Sequence, residues 1–417
     1  MGLLAVLLPG IVAPPFAHAE GWEFGGHIKL QYGLTDYSTS NIAAIYGENP
    51  ARDLSADGHL KADWREGGFD FSAHYEVLSL SGDSVATRRA LIAAGFPVTG
   101  ASNGLPNDRR QLFDLTDELA NGDRTVAVQR LDRLAVGYGY GTWLVRFGRQ
   151  AVSWGNGLAF QPLDLVNPFS PVAVDKDYKT GDDMLYAQWQ AGGQRDAQFM
   201  IVPRRDPLTH AVMSTESSYA GKYRLRAGSF DIDLLMARHY DENIFGLGVA
   251  RSLGGAVWRA DFACADLAGQ DSVWSAVTNI DYSWTLFGNN MYGFVEYFRN
   301  GVGEMSAAGY AVPRPALAAR LGRGELFTLA RDYAALGVQA EISPLVSLFA
   351  NLIQNLDDGS RLFQVRAVYS ASENVQWTAG FSLPAGERGS EFGGIPLLPG
   401  VYIGSGRTAT LRVARYF

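Results

Sequence analysis

The chain has 417 residues and a mass of 45.2 kDa, long enough for two or three soluble domains or for one very large barrel. Its 48 glycines and 50 aromatic residues (22 Phe, 19 Tyr, 9 Trp) favour strands and turns over long helices, and a mean hydropathy of -0.05 excludes a polytopic helical membrane protein while leaving open a membrane β-barrel, whose polar interior offsets its apolar exterior. A single cysteine, Cys264, excludes an intrachain disulfide and a cysteine-based metal centre, and a net charge of -8 argues against a general nucleic-acid binder.

Residues 1–19 contain no Asp, Glu, Lys or Arg, open on the apolar run LLAVLL and end in Ala17-His18-Ala19. This small-x-small ending reads as a signal peptide cut before Glu20, although the basic start usual in such segments is missing. Pro9, Pro14 and Pro15 interrupt the segment and argue against a membrane anchor. The mature chain is then 20–417, and no later stretch has the continuous apolar length of a spanning helix. An exported chain with these glycines and aromatics points to the Gram-negative envelope.

The mature chain alternates with period two. In 22–32, Trp22, Phe24, Ile28, Leu30 and Tyr32 share one parity, while Glu23, His27, Lys29 and Gln31 share the other. Leu60, Ala62 and Trp64 oppose Lys61, Asp63 and Arg65; after Gly67-Gly68, Phe69, Phe71, Ala73, Tyr75 and Val77 oppose Asp70, Ser72, His74 and Glu76. Further strands are expected at 130–139, 142–150, 183–191, 195–203, 217–226, 230–238, 243–252, 256–265, 272–282 and 289–299. The series ends with 330–342, 345–354, 360–370, 373–383 and 406–417. With 22–32, 56–66 and 69–80 the count is 18, and 16 is the alternative.

Connection lengths agree with a barrel. Short links such as Gly67-Gly68, Tyr140-Gly141, Gly254-Gly255, Ser343-Pro344 and Ala371-Ser372 alternate with long ones at 33–55, 81–129, 151–182, 300–329 and 384–405. Outer-membrane barrels place short turns on the periplasmic side and long loops outside. The expected fold is therefore all-β: one transmembrane antiparallel barrel with its third external loop folded inward. The last segment, Arg407 to Phe417, resembles the terminal strand that the barrel-insertion machinery recognises by its final aromatic residue.

If the aromatic parity faces lipid, the opposite parity lines a lumen. Inward candidates are His27, Lys29, Lys61, Asp63, Asp70, His74, Glu76, Arg133, Arg146, Lys222, Arg224, Asp231, Asp233, Arg259, Asp261, Glu296, Arg366 and Arg412. Such charges are too costly to leave unpaired in a small dry barrel, so a wide aqueous interior is expected. Arg133, Arg146, Lys222, Arg224 and Arg259 form a basic set suited to attracting anions, with Asp261 among the acidic residues that limit trapping. The densest local signal is 146–171, RFGRQAVSWGNGLAFQPLDLVNPFSP, followed by VAVDKDYKTGDDM. Pro162, Pro168 and Pro171 prevent a continuous ladder. Arg149, Trp154, Asp164, Asn167, Asp175, Lys176, Asp177 and Lys179 are then candidates to line a constriction made by the third loop.

The pattern Arg146-x-Gly148-Arg149-Gln150-x-x-Ser153-Trp154-Gly155, followed by Asn167-Pro168, resembles a signature of porin-like outer-membrane barrels of proteobacteria often associated with hydrophobic-compound use. The resemblance covers about 26 residues and implies an outer-membrane location with uptake or efflux of small molecules. The functional expectation is a channel for passive or substrate-biased diffusion of small polar or amphipathic solutes, not an enzyme. A non-transport binding or structural barrel and an outer-membrane hydrolase built on Ser72 and His74 are the alternatives. No cofactor, metal or nucleic acid is expected; expected partners are outer-membrane lipid, lipopolysaccharide, a small-molecule solute and, during biogenesis, the insertion machinery.

Overall fold

A strand whose alternate side chains differ in polarity is stable only where each face meets its own solvent. The computed structural model shows how this is met in residues 20–96, 104–172, 178–192, 195–267 and 271–417, which it describes; the expected signal peptide at 1–19 lies outside the described residues. The first strands are β1 (Gly21–Asp36), β2 (Ala51–Glu66), β3 (Phe69–Gly82), β4 (Thr116–Asn121), β5 (Thr125–Tyr140), β6 (Trp143–Gln150) and β7 (Asp182–Gly192). They are followed by β8 (Arg195–Val202), β9 (Ser218–Ala227), β10 (Phe230–His239), β11 (Glu242–Leu253), β12 (Ala256–Asp266), β13 (Val273–Leu286) and β14 (Asn289–Arg299). The last are β15 (Asp332–Ser343), β16 (Val346–Asn355), β17 (Arg361–Ser370), β18 (Val375–Ala385), β19 (Ile395–Leu398), β20 (Val401–Ile403) and β21 (Arg407–Tyr416). Helices α1 (Ile42–Tyr46), α2 (Asp83–Ala93) and α3 (Pro315–Arg323) lie in the long connections.

All these strands except β4, β19 and β20 form the wall, an antiparallel barrel of 18 strands rather than 16. It closes where β1 pairs with β21 from His27↔Tyr416 to Asp36↔Arg407, and Gly26 and Phe417 exchange backbone hydrogen bonds at 2.9 and 3.2 Å. The seam needs glycine here, because a Cβ on Gly26 would stand 2.2 Å from the His59 carbonyl oxygen. Both described ends therefore sit on the short-turn side.

Trp22, Phe24, Ile28, Leu30 and Tyr32 are exposed on the outer face. Tyr75, Trp189 and Trp377 are exposed there too; Trp64 is half-buried against Trp22, and the half-buried Trp258 donates its indole N–H to Thr278 at 3.0 Å. The inner face is less uniformly polar than alternation implied. Met184, Met200, Val202, Leu235, Val277 and Ile353 also point inward, where they pack against the third loop.

Two irregularities position that loop. In β5 the register steps from His74↔Arg133 to Tyr75↔Leu131, so Asp132 is the extra residue of a bulge. The bulge reverses parity, and Arg130, Asp132 and Arg133 all enter the interior. Strand β6 is the second irregularity: it pairs with β5 only over Leu134–Tyr140. Beyond it, β4 from the second long connection takes over the same β5 edge at Val126–Arg130, so the wall stays covered while the chain after Gln150 turns inward.

Arg149 lies at this junction. It was expected in the lumen, but it has the parity of the outward Val145 and Phe147 and is sealed beneath the second long connection. Its guanidinium pairs with Asp183 at 2.9 Å and Asp108 at 3.0 Å and donates to the Phe113 carbonyl at 2.8 Å. Those carboxylates accept the Phe113 and Leu115 N–H groups, both at 2.7 Å. The cause of the misplacement is covering by a distant loop, which alternation does not register. A buried ion pair that loses one partner leaves an uncompensated charge, so Arg149→Met should destabilise the barrel by about 3–5 kcal/mol. Urea unfolding in lipid should show this loss, while single-channel conductance of the surviving barrels stays unchanged; altered conductance with unchanged stability would return Arg149 to the lumen.

On the long-loop side, Glu391 accepts from Leu329 N at 2.7 Å, Tyr333 Oη at 2.6 Å and Asn355 Nδ2 at 2.9 Å, which ties the last loop down. Burial pushes its carboxyl up to about 7 from an ordinary value of 4.5. The folded state thus holds this proton more tightly than the unfolded chain does, so the contribution is complete below pH 4.5 and is lost as pH rises through 7. Hydrogen exchange at Leu329 and in 386–394, corrected for intrinsic rates, should quicken between pH 6 and 8 in the wild type and be pH-independent in Glu391→Gln.

Candidate functional site

The third long connection leaves β6 at residue 151 and returns to the wall at Asp182. A loop that enters a barrel carries unsatisfied N–H groups and is stable only if the wall supplies acceptors. Glu296 of β14 accepts three of them, from Leu158 at 2.6 Å, Ala159 at 3.0 Å and Phe160 at 2.8 Å. Asp261 of β12 accepts Asn156 N and Asn156 Nδ2, each at 2.6 Å. Asn279 of β13 joins the two anchors, donating to the Asn156 carbonyl and to Glu296, both at 3.1 Å.

Apolar packing and further polar ties carry the loop across the interior. Phe160 stacks on Phe298 with ring centres 4.6 Å apart. Trp154 donates to Gln198 of β8 at 2.7 Å, and Gln364 of β17 reaches the Val172 carbonyl at 2.9 Å. The returning limb is held by the bulge cluster, where Arg133 pairs with Asp132 and donates to the Lys179 carbonyl, and Arg130 meets Asp132 at 2.8 Å. Tyr178 bonds His74 and lies against Arg133 and Lys61, 4.5 and 4.9 Å from its ring centre. Within the loop, Lys179 binds Asp164 at 2.7 Å and the Val152 carbonyl at 2.7 Å, and Asn167, with φ 48°, donates to the Gly181 carbonyl at 3.3 Å.

The interior charges are largely paired. Arg146 is held by Asp70, Arg224 by Asp233 through two bonds at 2.7 and 2.8 Å, and Arg259 by Asp281 at 3.3 Å. Lys222 sits over the Trp154 ring, 5.5 Å from its centre. With each arginine beside a carboxylate, the basic set does not act as bare positive charge. The inward side chains of β15–β17 are more open: Asn351 is exposed, and Gln339, Phe349 and Arg366 are half-exposed, with the Arg366 guanidinium 4.3 Å over the Phe349 ring. This strip, beside the tethered loop, is accessible lumen.

The structure thus brings Trp154, Asp164, Asn167, Lys179, Arg133, Lys222, Arg259 and Asp261 together at or beneath the inward loop, with Arg146 and Arg224 on the wall nearby. It removes Arg149 to the outer face. Asp175, Lys176 and Asp177 lie outside the described residues. Sequence reasoning missed Arg130 and Asp132 because the bulge is invisible to strict alternation, and missed Asn351, Gln339 and Phe349 because none bears the charge by which candidates were chosen. The Ser72–His74 arrangement needed for hydrolysis does not form. His74 uses Nε2 on Asp63 at 3.0 Å and Nδ1 on Tyr178, which leaves no nitrogen to activate a serine.

No protein-family model matches the chain, and no curated relative does. Solved structures do. OccAB3 of Acinetobacter baumannii superposes with a TM-score of 0.54 at 10% identity over 95% of this chain and 99% of that one. OccAB4 of the same organism gives 0.55 at 9% over 97% and 100%. A BenF-like porin of Pseudomonas fluorescens Pf-5 gives 0.50 at 9% over 95% and 98%. At such identities the likeness is one of fold: the chain folds as a porin-like 18-stranded barrel.

Proposed function

We propose that this protein is an outer-membrane channel of a Gram-negative bacterium through which small polar or amphipathic solutes diffuse, passively or with a bias set by the interior. The observation that carries the reading is the third loop, tethered across the interior by Glu296 and Asp261 beside the accessible strip of β15–β17. A purely structural barrel has no need to spend two wall carboxylates on a loop that narrows its bore. The outward aromatic face fits lipid, and the porin-like neighbours support the same location. The Arg146–Gly155 signature supports kinship with barrels associated with hydrophobic-compound use. Lipid, lipopolysaccharide and the insertion machinery are its proposed partners, and no residue is assigned a catalytic, cofactor or metal role.

Reconstitution in planar bilayers and in solute-loaded liposomes tests the channel directly. Solute-dependent flux is expected; binding or turnover without flux would favour one of the alternatives. Shortening the loop between Val152 and Lys179 should raise single-channel conductance and relax size exclusion. Equal permeability of correctly inserted wild-type and shortened barrels across a size series would remove the constriction from the proposal.

The paired interior predicts opposite responses within one pair. Arg146→Gln leaves Asp70 unneutralised and should move the reversal potential toward cation preference, whereas Asp70→Asn should move it toward anions. Both shifts should shrink in concentrated salt, where the screening length falls to about 3 Å at 1 M. Shifts of the same sign, or none, would show that the pair does not face the permeation path.

A further inference from the structure

The short turns around the barrel differ in character. Those joining β2 to β3, β9 to β10 and β17 to β18 carry the exposed charges Glu66, Arg226 and Glu373. The turns joining β13 to β14 and β15 to β16 carry none, since Ser283 to Tyr292 and Ile342 to Leu348 lack Asp, Glu, Lys and Arg. The adjoining Glu341 is engaged by Asn290, whose Nδ2 donates to it at 2.9 Å. On this side of the rim Leu253, Leu286, Phe287, Ile342 and Leu345 are all exposed.

The tip of the β13–β14 turn is the sharpest case. Phe287 has φ 52° and Gly288 φ 81°, the left-handed pair that a two-residue hairpin turn fills most readily with Asn-Gly. A bulky side chain is disfavoured in that conformation. Phe287 is also 94% exposed, so packing within the protein offsets neither the strain of the turn nor the hydration of the ring. The compensation has to come from outside the chain.

The turn continues a lipid-facing surface. Tyr282 and Trp284, on the outer face of β13, stack with ring centres 6.3 Å apart. Both rings lie over glycines: a Cβ on Gly255 would stand 2.8 Å from the Tyr282 ring, and one on Gly293 would stand 2.8 Å from the Trp284 ring. The two rings thus form a flat aromatic band, of the kind that settles at a membrane–water interface. Phe287 lies three residues beyond Trp284. At about 3.3 Å per residue and a strand tilt of roughly 40°, it stands about 7 Å further along the membrane normal, within a polar layer roughly 5–7 Å deep.

Resting on the outer-membrane reading, we propose that the β11–β16 side of the short-turn rim is inserted in the headgroup layer of the periplasmic leaflet, with Phe287 as its anchor and phospholipid as its partner. The missing charges are what permit this, because an ionised group there would hold the turn in water. The charged turns on the rest of the rim stand in the periplasm, so this edge of the barrel is bound to the membrane more tightly than the others.

The test is hydroxyl-radical footprinting of the wild-type barrel in nanodiscs of phospholipid alone, one copy per disc, with the oxidation of each residue normalised to its rate in the unfolded chain. Ile280 and Val295, exposed on the outer wall, set the lipid-covered level; Leu208 and Val312, 87% and 85% exposed on the long loops, set the water-covered level. Phe287 and Leu345 should be oxidised several-fold more slowly than Leu208 and Val312. Phe287→Asn, which suits the turn and should fold as the wild type does, should raise the oxidation of Leu286 and Ile342 as the rim loses its hold. Oxidation of Phe287 at the level of Leu208 would overturn the anchor. Protection that appears only when several copies share a disc would overturn it too, by assigning the surface to contacts between copies. Unchanged oxidation of Leu286 and Ile342 in the variant would remove the ring from the role given to it. Ile280 and Val295 separate the two readings: if they are protected while Phe287 is not, the anchor alone fails, and if they are oxidised as Leu208 is, the membrane reading fails.

Discussion

Glu296 spends its carboxylate on three consecutive backbone N–H groups of a loop more than 130 residues earlier in the chain, and the interior is organised around that bond set. A loop drawn into a barrel exchanges hydrated amides for wall contacts, and unless each donor finds an acceptor the exchange is unfavourable by about 1–3 kcal/mol per group. Glu296 and Asp261 supply those acceptors from neighbouring strands, with Asn279 between them. Once they are in place, the apolar faces of Trp154, Phe160 and Leu163 fall against inward residues of the wall. The barrel's packed core is therefore loop against wall, off to one side, and the accessible lumen is what the loop leaves.

The same economy of partners explains the two departures from regular strand geometry. The bulge at Asp132 places three charged groups of β5 on one face, where the one carboxylate is shared by Arg130 and Arg133 and the group holds the returning limb of the loop. The early end of β6 would expose a sheet edge and open the wall; β4 covers the edge, and Arg149, Asp108 and Asp183 bind the covering segment down. At Gly148 the backbone has φ 121°, and an added Cβ would meet the Leu134 carbonyl oxygen at 2.2 Å, so glycine immediately before Arg149 is a steric requirement of the junction. The Arg-x-Gly-Arg-Gln run thus acts here as the hinge from wall to loop, with one arginine turned to each side.

Much of the barrel was legible beforehand. Alternation in segments such as Trp22–Tyr32 and Phe69–Val77 reports the side-chain period of a strand between lipid and water, and the alternation of short and long links reports antiparallel closure. The wall strands, their number and the inward course of the third loop followed from these local signals. The partners of the charges did not. Arg133 and Arg146 were readable as inward, but their pairing with Asp132 and Asp70 depends on register and on the bulge.

By itself, the sequence determined, in the strands without a bulge, which parity meets lipid and which meets the interior, because that choice is made residue by residue through a period of two. It also determined where the ladder must break, because proline has no N–H to donate. Only the tertiary structure decided that Arg149 lies under an outer loop and that Glu296 and Asp261 tether the third loop. These are contacts between groups tens to hundreds of residues apart, set by register, stagger and loop course. The physical reason is one of range: facing is a local property of a strand, whereas depth and pairing belong to the closed barrel.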